Sequence, residues 1–257
     1  MKKSSWIGCL ISLVFLWPCF SWAQVGERYT VELEGRMWNA KLDSTVKVVE
    51  NGIGTDTKLV DDLGFEERKN FFQARLQVKF FKKHKFNLEY IPLKWDGDKV
   101  VSRTIEFSGE KYTVGTRVQS SLDLKFLKGG YEYDFLVGKL GFLGGTLDVL
   151  VANASVQLKA PALGIDQKED KTVPIPMIGL IGRIYPSKWV NLTGKASGLP
   201  LGSYGSVFDA EVSLNINPIK YLGISGGYRY FSTNLKYNDN SLDYKLDGPF
   251  VGLDIRF

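Results

Sequence analysis

Apolar and polar side chains alternate strictly between residues 71 and 81, and this feature limits the fold more than any other in the chain. The apolar row of this segment consists of Phe72, Ala74, Leu76, Val78 and Phe80. The polar row consists of Gln73, Arg75, Gln77 and Lys79. Successive side chains of a strand point to opposite faces, whereas a helical face repeats every 3.6 residues. The segment is therefore predicted to be a β-strand.

Nine further segments are interpreted as strands, most of them with the same alternation, so the sequence predicts an all-β chain of about ten strands. In the fourth segment the apolar row changes from even to odd positions, and we attribute this change to a bulge at residues 128–130. Pro92 is expected to interrupt the far end of the third strand. The fifth and sixth strands are apolar on both faces in places, which leaves their register open. The predicted strands cover residues 29–42, 71–81, 85–95, 112–135, 143–159, 174–185, 189–196, 204–216, 221–231 and 246–257.

The connections between these strands alternate between long polar segments and short turns. The long ones cover residues 43–70, 96–111, 160–173 and 232–245, and the short ones cover residues 82–84, 136–142, 186–188 and 217–220. This asymmetry favours an antiparallel up-and-down transmembrane β-barrel. A soluble exported sandwich, the alternative, would carry connections of mixed length at both ends. Eight or twelve strands stay open, because residues 100–107 and 110–114 are interpreted as a further hairpin above the membrane.

In such a barrel the charged row must face inward, because Lys or Arg near the middle of the lipid face costs roughly 2–4 kcal/mol. Buried charges need compensation, so we expect ion pairs that fill the lumen, and a narrow conduit is the alternative. About ten strands are too few for a general diffusion porin. Aromatic girdles are predicted at Tyr29, Tyr90, Tyr133, Trp189, Tyr221 and Tyr230. The predicted lumen charges are Arg36, Arg75, Glu89, Arg117, Asp123, Arg183, Asp209, Glu211, Arg229, Asp254 and Arg256, together with Lys79, Lys125, Asp148 and Lys195.

Residues 1–23 have the layout of a secretory signal peptide, with Lys2 and Lys3 before an apolar core at residues 6–20. A retained anchor is disfavoured because this core is shorter than the roughly 20 residues that span a bilayer. Cleavage after Ala23 would leave residues 24–257 as the barrel domain and remove both cysteines. The net charge would then fall from +5 to +3, a mild excess that does not indicate nucleic-acid binding.

The last predicted strand ends in an aromatic residue preceded by apolar residues at every second position. This pattern resembles the C-terminal signal that the outer-membrane barrel assembly machinery reads. The chain between residues 29 and 257 resembles small bacterial outer-membrane barrels of the OmpA or OmpW type and their uncharacterised relatives. The resemblance implies outer-membrane lipid, lipopolysaccharide and the assembly machinery as partners. The residues that carry the assembly signal are Val251, Leu253, Ile255 and Phe257.

The sequence shows no marked catalytic, cofactor or metal site, and we predict that the chain is not an enzyme. The known families of outer-membrane barrel enzymes use a histidine in or near a site at the lipid or outer side. The single histidine of this chain, His84, falls in a predicted short turn on the periplasmic side. A Ser-Lys or paired-carboxylate site has no local signature and stays open. An acidic loop is interpreted as solvated rather than as a calcium site, since it lacks the regular spacing of such sites. Its acids are Asp56, Asp61, Asp62, Glu66 and Glu67.

These observations leave three functional hypotheses for the barrel. The first is a structural or surface-interaction role with a lumen filled by side chains. The alternative is a narrow channel or carrier for small solutes, including apolar solutes that enter from the outer side. A lipid-modifying outer-membrane enzyme is the least favoured. The ligand, the exact strand number and the oligomeric state do not follow from the sequence.

Overall fold

The computed structural model describes residue 27, residues 29–47, residue 49 and residues 55–200, 202–237 and 239–257. The predicted signal peptide lies outside these residues. Ten long strands form the barrel: β1 (Val31–Lys47), β3 (Arg68–Phe80), β4 (His84–Val100), β7 (Arg117–Gly138), β8 (Gly141–Ala160), β9 (Ile165–Ile184), β10 (Val190–Pro200), β11 (Gly205–Ile219), β12 (Leu222–Tyr237) and β13 (Asn240–Arg256). The short elements are β2 (Thr57–Lys58), α1 (Leu59–Leu63), β5 (Ile105–Phe107), β6 (Glu110–Tyr112) and 3-10 turns at Pro161–Leu163 and Gly202–Tyr204.

The ten long strands follow one another in an antiparallel meander that closes on itself through β13 and β1. The register of this seam runs from Glu32 opposite Arg256 to Lys47 opposite Ser241. At the end of the seam, the Phe257 carbonyl accepts hydrogen bonds from the Thr30 and Val31 amides at 2.6 and 3.1 Å. The prediction of an up-and-down barrel of about ten strands is confirmed. Among the described residues, no helix is long and apolar enough to cross a membrane.

A continuous belt of apolar side chains faces outward around the barrel and covers one half of its height. Such a belt suits lipid, because closed barrels satisfy their backbone hydrogen bonds internally. Tyr29 is not part of the predicted girdle, because it is buried inside the barrel, where its hydroxyl donates to Gln77 Oε1. Members of the belt include Leu33, Leu88, Leu147, Ile178, Leu180, Val212, Leu214, Val251, Leu253 and Ile255, all exposed.

Above the belt, apolar and polar residues still alternate, but the polar row now faces outward and the apolar row faces inward. On β4 the outward row changes from apolar residues to Lys94 and Asp96, and the inward row changes from charged residues to Ile91 and Leu93. The upper half of the barrel therefore stands outside the lipid and is built like a soluble β-barrel, with polar residues outside and apolar residues inside. We call these parts the inner half, within the belt, and the outer half, beyond it.

This reversal corrects three expectations from the sequence. The apparent phase change on β7 is not a bulge at residues 128–130, since Phe126 and Lys128 both point inward and only their surroundings differ. The register irregularity of β7 lies between Tyr133 and Leu136. Pro92 does not interrupt β4, which continues to Val100. Much of the predicted long loops is strand that extends the barrel outward, whereas the predicted extra hairpin is confirmed as β5 and β6.

Candidate functional site

The interior of the inner half is filled by a balanced network of charged side chains, which we call the polar layer. Its central part contains five basic and five acidic residues, all linked by ion pairs within 4.0 Å. Equal numbers of both signs compensate one another in a place where isolated charges would be costly. The members are Arg36, Arg75, Lys128, Lys195 and Arg229 with Glu34, Glu89, Asp148, Asp209 and Glu211.

Arg229 makes the most complete set of contacts in this layer. Its Nε and Nη2 donate to the two carboxylate oxygens of Asp209 at 3.0 and 2.9 Å, and its Nη1 donates to Glu89 Oε1 at 2.5 Å. Planar, two-pronged pairing of this kind is the strongest arrangement that a guanidinium forms with a carboxylate. Lys128 lies on the other side of Asp209, with its Nζ 2.8 Å from Asp209 Oδ2.

Two more arginines extend the network across the barrel. Arg75 Nη2 lies 3.3 Å from Glu89 Oε1 and 3.1 Å from Glu211 Oε2. Arg36 Nη1 lies 2.8 Å from the same Glu211 oxygen. Contacts from β1, β3, β4, β11 and β12 thus meet inside the lumen, and the cavity among the polar side chains measures only about 60 Å³. The polar layer therefore closes the inner half to solutes larger than a few water molecules.

Twelve of the fifteen predicted lumen charges lie inside the barrel. They are Arg36, Arg75, Lys79, Glu89, Asp148, Arg183, Lys195, Asp209, Glu211, Arg229, Asp254 and Arg256. Arg256 contacts Glu32, Asp254 and Asn217, while Arg183 Nη1 lies 2.5 Å from Glu27 Oε1. These contacts continue the polar layer toward the periplasmic end.

The assignment of Arg117, Asp123 and Lys125 to the lumen is wrong. Arg117 is exposed and pairs with Asp98 at 2.7 Å, and Asp123 and Lys125 face outward beside each other. All three belong to the outer half, where no lipid requires an apolar outer face, so polar residues point to water. The sequence prediction left Lys128 and Glu132 out of the lumen charges, because it assumed that the strand changes face at residues 128–130. The strand keeps its face and only crosses the edge of the belt there. The even spacing of these two residues from Phe126 is the signal that would have found them.

The polar layer ends abruptly, and a hydrophobic core begins within two residues on six of the eight strands that carry it. This switch is visible because one inward row contains both kinds of residue. It runs from Arg36 to Trp38, Glu89 to Ile91, Lys128 to Phe126, Asp148 to Leu150, Asp209 to Val207 and Arg229 to Phe231. The interior of the outer half is therefore apolar.

One side of this core is densely filled and capped by α1. Phe71 and Trp95 pack with ring centroids 4.6 Å apart, and Leu59 and Leu63 of α1 are buried above them. The helix approaches closely because Gly97 has no side chain: a Cβ there would lie 2.4 Å from the Leu63 carbonyl oxygen. Packing of this density leaves no room for a ligand on this side.

The other side of the core contains a cavity of about 310 Å³, which we call the outer cavity. Small residues at Ala152 and Ala154 create its width, and the β5–β6 hairpin covers it with Phe107. Most of its lining is apolar. Its main lining residues are Leu122, Leu124, Phe126, Leu150, Val156, Val173, Ile175, Phe231, Leu235, Leu242 and Tyr244.

Two hydroxyl groups in the wall of the outer cavity have no protein partner among the described residues. They are the Tyr244 hydroxyl and Thr233 Oγ1, and both side chains are at least 95% buried. Buried polar atoms are rarely left without a partner, since this costs roughly 1–3 kcal/mol. The cavity therefore offers an apolar ligand one or two hydrogen bonds.

Asp62 anchors the cap to the loop between β4 and β5. Its carboxylate accepts hydrogen bonds from Arg103 Nε at 2.9 Å and Nη2 at 2.5 Å and from the Lys58 amide at 2.8 Å. Asp62 is thus not the solvated loop acid that the sequence analysis expected. The hydrogen bonds from Arg103 hold the pKa of Asp62 below its ordinary value, against the effect of partial burial.

This lowered pKa predicts that the cap loosens in acid. A carboxylate with a depressed pKa stabilises the fold above its unfolded value of about 3.9, and this contribution is lost as the pH falls through the folded pKa. We expect pepsin to cleave within residues 55–66 more readily at pH 2 than at pH 5. Asp62→Asn should be cleaved equally at both pH values, after correction for pepsin activity on an unfolded substrate. Equal pH dependence in the two proteins would contradict this role of Asp62.

His84 lies at the periplasmic start of β4. Its Nδ1 is 2.6 Å from the Tyr131 hydroxyl, and its ring packs against Tyr133 at a centroid distance of 5.1 Å. In the part of the chain that the structure describes, no three His, Cys, Asp or Glu residues are grouped as a metal site. His84 is not among the residues that line the outer cavity.

Comparisons with known proteins identify the fold but no family. No protein-family description matches the sequence, and no curated protein matches it. The barrel is similar to the outer-membrane protease OmpT from Escherichia coli, with a TM-score of 0.62, 8% identity and coverage of 88% of this chain and 96% of that chain. It is also similar to the translocator domain of the autotransporter NalP from Neisseria meningitidis, with a TM-score of 0.52, 11% identity and 90% coverage of both chains. The chain is thus an outer-membrane β-barrel by fold.

The prediction that the chain is not an enzyme is wrong in the form in which it was made. It rested on the lack of a marked catalytic site in the sequence and on the position of His84, but one barrel of the same fold is an outer-membrane protease. At 8% identity the likeness extends to the fold alone. A barrel of this shape is therefore compatible with catalysis, and the kind of fold gives no ground for excluding it.

Proposed function

We propose that this outer-membrane barrel binds a small, mainly apolar molecule in its outer cavity. The observation that carries the proposal is the cavity of about 310 Å³ in a core that is otherwise closely packed. Protein interiors resemble organic crystals in density and contain few large voids, whereas ligand pockets measure about 300–1,000 Å³ and are mostly apolar. The outer cavity falls at the lower end of that range.

The polar layer supports binding rather than free passage through the barrel. It lies directly below the outer cavity and leaves only about 60 Å³ among its ion-paired side chains. This supports a filled lumen for the inner half, as the sequence analysis expected. A ligand that enters the outer half therefore stays there unless the network rearranges, and the barrel acts as a receptor or carrier rather than as an open pore.

The outer surface of the outer half is polar, and this supports lipopolysaccharide as a partner that surrounds the barrel there. Lys94, Lys125 and Lys168 point outward above the belt, where sugar and phosphate groups of lipopolysaccharide would surround the barrel. The assembly machinery remains the proposed partner of the C-terminal strand, since Phe257 completes the β13–β1 seam on which closure depends. Both partners are part of this proposal, and both are the partners that the resemblance to small outer-membrane barrels implies.

Filling the outer cavity tests the proposal. Ala154 lines the cavity, so Ala154→Phe should occupy part of its volume while leaving the polar layer and the belt untouched. The matched control is Ala210→Phe, which adds the same volume on the outward row of β11. We expect a water-soluble photoreactive octanoate to label β8 and β13 of the unchanged protein and of Ala210→Phe, with at least a tenfold loss in Ala154→Phe.

Both variants must first show the heat-dependent shift in gel mobility of a folded barrel. Bound octanoate should also raise the Tm of the unchanged protein, because a ligand that binds only the folded state stabilises it. Equal labelling of all three proteins, or the absence of labelling within the cavity peptides, would contradict the proposed function.

A further inference from the structure

Building on the proposed function, we propose that the outer cavity takes one acyl chain of an anionic amphiphile, which enters sideways from the outer leaflet. The route is a gap in the barrel wall between the unpaired upper part of β9 and the short β10–β11 hairpin, and we call it the lateral gap. Strand pairing, cavity lining, the level of the belt and the chemistry of the rim each support this route.

The pairing of β9 shows where the wall is incomplete. Among the described residues, β10 pairs with β9 only from Ile178 to Ile184, whereas β8 pairs with β9 along its whole length from Ile165. The upper part of β9, residues 165–177, is therefore a free edge on the β10 side. An exposed edge of this length is unusual, because unpaired strands invite association with other chains.

Prolines explain why the β9–β10 ladder stops at this point. The last pair is Gly198 opposite Ile178, and two residues further along both strands carry proline, at Pro200 and Pro176. Pro174 follows on β9. Proline has no amide hydrogen to donate and is confined within sheets to edges and bulges. The gap is thus encoded in the sequence of both strands, and the same prolines protect the free edge from pairing with other chains.

The outer cavity lies directly behind the lateral gap. Val173 and Ile175 of the free β9 edge line the cavity on one side, and Thr233 and Leu235 of β12, which pair with Val207 and Gly205 of β11, line it on the other. None of the described residues of β10 or β11 lines the cavity, although these two strands stand between β9 and β12 in the inner half. An apolar chain that passes over the β10–β11 hairpin would therefore reach the cavity without crossing another strand.

The lower edge of the gap is level with the top of the lipid-facing belt. Ile178 and Phe208 both point outward from the last paired rungs below it and are exposed, as expected of side chains that meet lipid. Tyr230 of β12 lies near the same level, with Lys245 Nζ 5.5 Å from its ring centre, an arrangement typical of the membrane interface. A lipid chain would therefore move from lipid into the cavity without passing through water.

The rim favours an anionic head group. Lys47 and Lys171 border the cavity together with a single acid, Glu169, whose Oε1 accepts a hydrogen bond from Ser108 at 2.9 Å in the covering hairpin. Lys171 is largely exposed and lies 3.9 Å from Glu169 Oε2. The rim thus carries a net positive charge. Inside the cavity, the hydroxyls of Tyr244 and Thr233 are available to the acyl chain.

A reversible staple across the lateral gap tests the route. Positions 176 and 200 lie two residues above Gly198 and Ile178 and would face each other if the register continued, so Pro176→Cys with Pro200→Cys should form a disulfide that raises the lower edge of the gap. In this stapled variant, the natural Cys9 and Cys19 are also replaced by Ser. The reduced form of the same protein is the control. In vesicles that contain a phosphatidylglycerol with a photoreactive acyl chain, we expect oxidation to reduce labelling of β8 and β13 at least tenfold.

A second variant covers the case in which the staple does not form. Replacing Pro174, Pro176 and Pro200 with Thr restores three amide donors and should let the ladder extend, with a similar loss of labelling from vesicles. Equal labelling of the open and closed forms by phosphatidylglycerol would overturn the lateral route. Equal labelling by a phosphatidylcholine with the same chain would overturn the anionic head group.

Water-soluble photoreactive octanoate separates this inference from the proposed function. Because it reaches the cavity from the aqueous side, it should label the oxidised and reduced forms equally. Failure of octanoate to label either form would contradict the proposed function itself. Labelling by octanoate together with unchanged labelling by phosphatidylglycerol on oxidation would contradict only the lateral route.

Discussion

Replacing Arg229 with Met is expected to lower the free energy of unfolding of the barrel by about 3–5 kcal/mol. Arg229 is almost fully buried, and it donates to both oxygens of Asp209 and to Glu89. The substitution keeps a side chain of similar length but leaves two carboxylates with fewer compensating charges. Lys128 and Arg75 remain beside Asp209 and Glu89 and prevent a still larger loss. Urea-induced unfolding in detergent micelles, followed by tryptophan fluorescence, would measure the change.

Arg117→Met is the matched control for this experiment. Arg117 also makes a two-pronged contact, with Asp98 at 2.8 and 2.7 Å, but it lies on the exposed outer surface. Exposed ion pairs contribute little because water screens the charges, so no measurable change is expected. Adding Asp209→Asn to Arg229→Met should recover part of the lost stability, since one of the unpaired charges is removed. Equal stability of the Arg229→Met and Arg117→Met proteins would show that the polar layer does not support the fold.

Leu147→Lys is expected to destabilise the membrane-inserted barrel by about 2–4 kcal/mol, because Leu147 lies on the lipid-facing row of β8. Asn153 lies on the same row of the same strand, six residues further outward, and is exposed in the outer half. Asn153→Lys should therefore have no measurable effect. The pair tests the reversal of environment along a single strand, with the same residue introduced on the same face.

Folding into lipid vesicles at increasing urea concentrations would measure both effects. The same ranking in detergent and in vesicles of different thickness would locate the edge of the belt between these two positions. A similar loss of stability in both variants would mean that the belt extends past Asn153 and that the outer half also lies in lipid. That result would remove the physical reason given for the apolar interior of the outer half.

Strand content was predictable because it depends on local periodicity. Each of the ten long strands corresponds in order to a segment of alternating residues, and the extra hairpin was recognised from residues 100–107 and 110–114. The ends were less accurate: β9 begins at Ile165 rather than at residue 174, because a polar strand outside the lipid has the composition of a loop.

The orientation of the charged rows was predictable only where the strands cross lipid. Along Arg75 and Arg229 the rule that charges avoid lipid gives the inward direction correctly. The same rule fails for Arg117 and Asp123, since both lie above the belt, where charges favour water on the outside. Nothing in the alternation itself marks the level at which the rule changes, and the change on β7 was therefore mistaken for a bulge.

Local periodicity alone predicts about ten antiparallel strands with one apolar and one polar row, because the period of two follows from the geometry of the extended backbone. The end of the belt, the charges that meet in the polar layer and the cavity beside the lateral gap emerge only when the strands assemble. These features depend on the stagger of strands from Ile165 to Tyr244 and on distances between residues far apart in the chain. Local patterns do not contain that information, since register and closure are properties of the whole barrel.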